Sequence, residues 1–234
     1  MESSIKLGRV SKIYTMGEID VVAIDGISFE IPSGEFLVLL GPSGSGKTTL
    51  LNLIGGLDSP TEGRIEVNGF EVSALDRNQL TQYRRTQIGF IFQTFNLIPT
   101  LTAKENVEFA AELVKNRRSA EELLESVGLG NRMNHFPSEL SGGENQRVAI
   151  ARSLATDPHI ILCDEPTGSL DFETGKRIFK LLRELNQTQH KTVVIVTHNS
   201  AIGEIADRIL RMRDGRIVES VTNPHPLDPE RLEW

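Results

Sequence analysis

Residues 35–56 read EFLVLLGPSGSGKTTLLNLIGG. An apolar run of strand length, Glu35–Leu40, passes through a glycine-bearing loop into a segment with helical character from about Thr48 to Ile54, which Gly55 and Gly56 close. A buried strand that turns directly into a helix belongs to an α/β layer. Gly41, Gly44 and Gly46, with Pro42, Ser43 and Ser45 between them, leave backbone N–H groups free to curl around an anion at the positive end of that helix. Gly41-x4-Gly46-Lys47-Thr48 is the spacing of a phosphate-binding loop. In such a loop Lys47 reaches the β- and γ-phosphates, the Thr48 hydroxyl ligates Mg²⁺, and Thr49 donates to a phosphate.

A second apolar run, HIILCDEPTGSLD, delivers Asp164 and Glu165 to its C-terminal tip, where open α/β sheets bind ligands. Asp164 fits an acid that holds Mg²⁺ through water, and Glu165 fits a base that orients and deprotonates an attacking water. Gln93 and His198 end two further apolar runs in the same manner. His198 is equally read as an exposed histidine or as a hydrogen-bonding contact to a phosphate. Tyr14 either packs as an ordinary ring or offers a face to a base, and Cys163 reads as a small buried hydrophobe.

The remaining chain alternates in type. Strands are expected at Ile5–Val10, Ile27–Ile31, Ile88–Phe92, Ile160–Cys163 and Thr192–Val196. Hairpins are expected about Asn68–Gly69 and Asp214–Gly215, and helices over Asp76–Arg85, Glu173–Asn186 and, briefly, Ala201–Ala206. Thr102-x-x-Glu105 and Ser119-x-x-Glu122 are capping boxes in a helix-rich insert between about 94 and 157. Residues after Val221 read as a tail.

A net charge of −7 offers no long-range attraction for nucleic acid, and Arg84–Arg85 and Arg117–Arg118 read as solvated faces. The single Cys163 forms no intrachain disulfide, which fits a reducing compartment. The N-terminus has no apolar signal core, and no apolar run reaches the ~18 residues of a membrane span. A cytoplasmic chain without direct membrane insertion is expected.

One stretch resists a purely structural reading. LSGGENQRVAIARSLA begins a helix with the capping box Ser141-x-x-Glu144, yet puts Gly142 and Gly143 in its first turn, where each costs about 1 kcal/mol relative to alanine. The box explains Ser141 and Glu144 but not both glycines.

Taken together, Gly41–Thr49, Gln93, LSGGENQR, CDEPTGSLD and His198, in that order and spacing, resemble the ATP-binding subunit of an ABC transporter over almost the whole chain, Ile5 to about Glu219. IGFIFQTFNLIPTLTAKENVE is further similar to the branch of macrolide exporters and lipoprotein-releasing systems. The resemblance implies an α/β fold: a phosphate-loop (RecA-like) NTPase core, about 1–93 and 158–221, with an N-terminal antiparallel β subdomain and an inserted helical subdomain, about 94–157. Residues 1–221 would form one ATPase domain and 222–234 a tail.

It also implies a Mg²⁺-dependent ATPase that forms a homodimer on binding ATP. The two copies pair head to tail, so that Ser141, Gly142, Gly143 and Glu144 of one lie against the triphosphate held by the other's Lys47. On this resemblance Tyr14 stacks on adenine, Gln93 links Mg²⁺ and water to a transmembrane permease, Asp171 lies at the dimer seam, and His198 contacts the γ-phosphate. Phe95 and Leu97 of the insert would receive the permease, placing the chain peripherally on the inner face of the membrane. Export, or lipoprotein and lipid extraction, follows from the branch alone. The family usually has Gln where this chain has Glu144, and the S-x-x-E spacing predicts that the carboxylate turns back to cap. A soluble ABC-type ATPase not tied to transport would share these motifs, but such proteins usually carry two cassettes or a long coiled-coil insert.

Overall fold

The computed structural model describes residues 3–114 and 118–233. Arg117 of the second basic pair and Trp234 of the tail lie outside the described residues.

Strand β3 (Phe36–Leu40) is buried throughout, and its alternation divides it between two cores: Phe36, Val38 and Leu40 face one, Leu37 and Leu39 the other. β7 (Ile160–Asp164) and β8 (Thr192–Thr197) divide in the same way. Such unbroken apolar runs are what a parallel sheet covered on both faces requires. Together with β6 (Ile88–Ile91), β9 (Arg208–Arg213) and β10 (Arg216–Thr222), these strands make a six-stranded sheet ordered β10-β9-β3-β8-β7-β6. Only the β9–β10 pair is antiparallel.

One face packs on α1 (Lys47–Ile54), whose Leu50, Leu51, Leu53 and Ile54 join a core shared with a second sheet. That sheet is antiparallel and ordered β2 (Ile19–Pro32), β1 (Ser3–Met16), β4 (Glu62–Val67), β5 (Phe70–Glu71). The opposite face carries α5 (Gly142–Leu154) and α6 (Phe172–Gln189), with α3 (Ala103–Ala111) and α4 (Ala120–Ser126) against α5. Asp76 caps α2 (Arg77–Gln87) beside β6. Cys163 is buried in the helical core, where desolvation pushes its thiol far above the usual range.

Three expectations change. β1 and β2 run well beyond Ile5–Val10 and Ile27–Ile31 to a turn at Gly17, with irregular register at Leu7/Val10 and Val10/Lys12. Those irregularities break the period-2 pattern, and the outer ribbon exposes Met16, Ile19 and Val22. The helix near Ala201–Ala206 is a 3₁₀ turn, Ser200–Ile205. The tail does not trail: Leu232 is fully buried in the helical core, the Leu227 N–H donates to Glu204 O at 2.8 Å, and Glu230 pairs with Lys180. Among the described residues, no helix is long and apolar enough to cross a membrane.

Candidate functional site

The loop after β3 is squeezed from two sides. A Cβ on Gly41 would stand 2.4 Å from Met212 O, and one on Gly46 2.3 Å from Ala23 O. Gly44 and Gly46 also hold φ of 79° and 96°, in the left-handed region. Gly46 then leads into α1, which opens on Lys47 itself. Lys47 is buried as a residue, and its ammonium donates to Gly41 O at 2.8 Å and Pro42 O at 2.9 Å. Burial lowers its pKa, against the upward pull of Glu165 and Asp164.

Three strand ends converge on this loop. At the tip of β7, Asp164 Oδ1 accepts from the Thr48 hydroxyl at 3.1 Å. Burial raises the Asp164 pKa, the Thr48 hydrogen bond lowers it, and the Glu165 charge raises it. Glu165 has φ 47°, a left-handed conformation that costs a non-glycine residue about 1–3 kcal/mol. It is anchored by its N–H to Val196 O (3.0 Å), and its carboxylate meets Thr197 Oγ1 at 3.2 Å and His198 Nδ1 at 2.8 Å, both from the end of β8. Gln93, beyond β6, lies where a Cβ on Gly168 would meet its Nε2 at 2.9 Å. Ser43, Gly44, Gly46–Thr49, Asp164, Glu165 and Gln93 line one cleft of about 380 Å³.

The cleft's remaining wall is Val21, Val22 and Ala23 of β2, which sequence reasoning missed. No sequence signal marks them, since the exposure of Val21 and Val22 on the outer ribbon exists only in the fold. Tyr14 of β1 pairs in register with Val21. Its hydroxyl donates to Asp58 Oδ2 at 2.7 Å, and Lys12 Nζ stands 4.8 Å from its ring centroid.

Gln93 also borders a second groove, of about 390 Å³, with Phe95, Leu97, Asn145 and Ser169 among its walls. The Ser141–Glu144 turn and Asp171 form a separate group. Ser141 caps α5 by accepting from the Glu144 N–H (3.3 Å), and Glu144 Oε2 accepts from the Ser141 N–H (2.8 Å). The Glu144 carboxylate is therefore turned back, and its Oε1 lies 3.3 Å from Arg132 Nε. Asp171 caps α6 by accepting from the Thr174 N–H at 3.0 Å. A Cβ on Gly143 would meet Thr174 Cγ2 at 2.2 Å, so packing against α6 gives that glycine a structural reason as well. Gly142 is exposed, and its Cβ would meet Leu170 Cδ2 at 3.3 Å and Phe95 Cζ at 3.7 Å.

Residues 24–168 match the profile of the ABC transporter family. This chain belongs to that family. An ABC transporter ATP-binding protein of Thermotoga maritima is 51% identical over 93% of this chain and 94% of its own. A macrolide export ATP-binding/permease protein MacB of Rhodopirellula baltica is 46% identical over 93% of this chain, which spans 33% of that longer protein. Among solved structures, the ATP-binding cassette MJ0796, a protein of Methanocaldococcus jannaschii, is similar in a dimeric post-hydrolysis state bound to ADP and Pi. Its TM-score is 0.87 and its identity 45%, over 93% of this chain and 98% of that one.

For an ABC cassette the metal question is whether this site suits Mg²⁺. Among the described residues there is no cluster of three or more His, Cys, Asp or Glu that could cage an ion. Thr48 and Asp164 instead supply a sparse set of hard oxygen donors, with Gln93 on the same cleft wall. That set fits Mg²⁺, which keeps several waters and binds through one or two carboxylates plus substrate phosphates.

Proposed function

We propose that the chain, with its C-terminal segment packed on the helical core, forms one ATPase unit that binds Mg²⁺ and ATP between the phosphate loop and the β7 and β8 strand ends. The observation that supports it best is the convergence of Lys47, Thr48, Asp164 and Glu165 around one cleft, with His198 from the end of β8 bonded to Glu165. Gly41–Thr49 cradle the phosphates and Lys47 turns from the loop carbonyls to the β- and γ-oxygens. Thr48, Asp164 and Gln93 hold the ion, which when bound neutralises charge on the phosphate oxygens. Glu165 orients the attacking water and takes its proton, and His198, already bonded to Glu165, keeps that carboxylate in place.

The site is completed by a second copy, head to tail, whose Ser141–Glu144 turn and Asp171 meet the triphosphate. Similarity to a cassette solved as a dimer with ADP and Pi supports this pairing. The insert, about 94–157, and its groove at Phe95 and Leu97 meet a separate membrane permease. Export is favoured by similarity to the macrolide export protein, and lipoprotein or lipid extraction is the other reading of the same branch.

The test has two arms. Light scattering on Glu165→Gln with ATP is expected to show dimers that the Lys47→Ala variant does not form; monomers throughout would overturn the pairing. Affinity purification from the native host is expected to bring down an integral-membrane subunit. Ribosomes or DNA in its place would favour a soluble ABC-type ATPase.

A further inference from the structure

Tyr14 projects from the outer ribbon with about a third of its surface exposed. An aromatic side chain in that position would ordinarily sample several rotamers. Here Asp58 and Lys12 hold it, and the Thr49 side chain of the phosphate loop also acts on its hydroxyl. Asp58 Oδ2 accepts the phenol hydrogen at 2.7 Å, while Asp58 Oδ1 accepts from Lys12 Nζ at 2.6 Å. The same ammonium donates to Ser59 O at 2.8 Å and stands over the ring, 4.8 Å from its centroid. The cation covers one face of the ring, so a flat ligand would have to take the other.

Asp58 is itself tied to the phosphate loop through α1. Its N–H and that of Leu57 both bond to Asn52 O, at 3.3 and 2.9 Å, so it is fixed at the end of the helix that begins with Lys47. One short helix thus carries the phosphate loop at its start and the anchor of the Tyr14 ring beyond its end.

We propose that Asp58 is a positioning residue for the purine base: by holding the Tyr14 hydroxyl and the Lys12 ammonium together, it presents one pre-oriented ring face at a set distance from the phosphate loop. The inference rests on the reading of Tyr14 as the base-stacking ring and extends it to residues outside the nucleotide motifs. Ordering the ring before the ligand arrives removes part of the entropy cost of binding.

The test compares ATP with inorganic tripolyphosphate, a probe without a base, by calorimetry on the full chain in Mg²⁺. Tyr14→Ala is expected to weaken ATP and leave tripolyphosphate unchanged. Asp58→Ala and Tyr14→Phe are each expected to raise the Kd for ATP roughly three- to tenfold, the scale of one ordered side chain, again without affecting tripolyphosphate. The double variant is expected to be no weaker than the worse single, and Asp58→Asn, which keeps an acceptor for the phenol, to recover part of the loss. If Tyr14→Ala weakens ATP while Asp58→Ala and Tyr14→Phe do not, the positioning role is wrong and the stacking reading stands. If Asp58→Ala weakens tripolyphosphate as much as ATP, Asp58 acts on the loop and the proposal falls. An unchanged ATP affinity in Tyr14→Ala would overturn the stacking reading and the positioning role with it.

Discussion

Thr174 Cγ2 occupies the space that a side chain at Gly143 would need: a Cβ there would come within 2.2 Å of it. The bare first turn of α5 is in this respect a product of helix packing. Gly143→Ala is expected to destabilise by about 1–3 kcal/mol through overpacking, despite the gain in helix propensity. Thr174→Ser removes the obstructing methyl and should restore most of the loss in the double variant, read as urea midpoints. Gly142→Ala, with its nearest neighbour at 3.3 Å, should be close to neutral for stability. A loss of ATP-driven pairing in that variant would then report on the partner's triphosphate alone.

Glu165 keeps its place through backbone and side-chain bonds to Val196, Thr197 and His198. Glu165→Gln keeps the shape and removes the base. Phosphate release is expected to fall by about 10²–10⁴, the usual size of general-base loss, with ATP affinity by calorimetry nearly unchanged. Turnover at the wild-type rate would remove Glu165 from this role.

Glu144 sits with one carboxylate oxygen on the Ser141 N–H and the other near Arg132. The Ser141 backbone bond, and then its side chain, hold the Glu144 carboxyl below the ordinary glutamate range. A depressed folded pKa means that the contribution is complete above the unfolded value, near 4.3, and is lost as pH falls through the folded value. The difference in urea midpoint between wild type and Glu144→Gln should therefore be small and favour wild type at pH 7, and shrink below about pH 4. A much tighter ATP-bound dimer in Glu144→Gln at pH 7 would mean that the carboxylate faces nucleotide.

Leu232 is fully buried although it lies two residues from the end of the chain. Leu232→Ala is expected to cost about 2–4 kcal/mol, the range for a buried leucine truncated to alanine. Thermal denaturation at equal protein concentration checks this, and a value near zero would show that the segment detaches before global unfolding.

Much of this protein is decided by local spacing. The phosphate loop, the Asp164–Glu165 strand tip, the Asn68–Gly69 and Asp214–Gly215 turns and the Ser141–Glu144 box depend on neighbours within a few residues, so their chemistry is visible in the chain itself. The α/β class follows from the same cause, because a buried parallel strand must read as an apolar run whatever packs on it.

Other features exist only after distant segments meet. The length of the β1–β2 ribbon is hidden by irregularities that break its alternation, and the seat of Leu232 depends on a core built from elements far upstream. Gly143 is explained by a methyl 31 residues along the chain, and the Tyr14 ring by a carboxylate 44 residues away. Periodicity carries no information about such pairs: the energy of a close contact depends on where two backbones come to rest, and that is decided by packing in three dimensions.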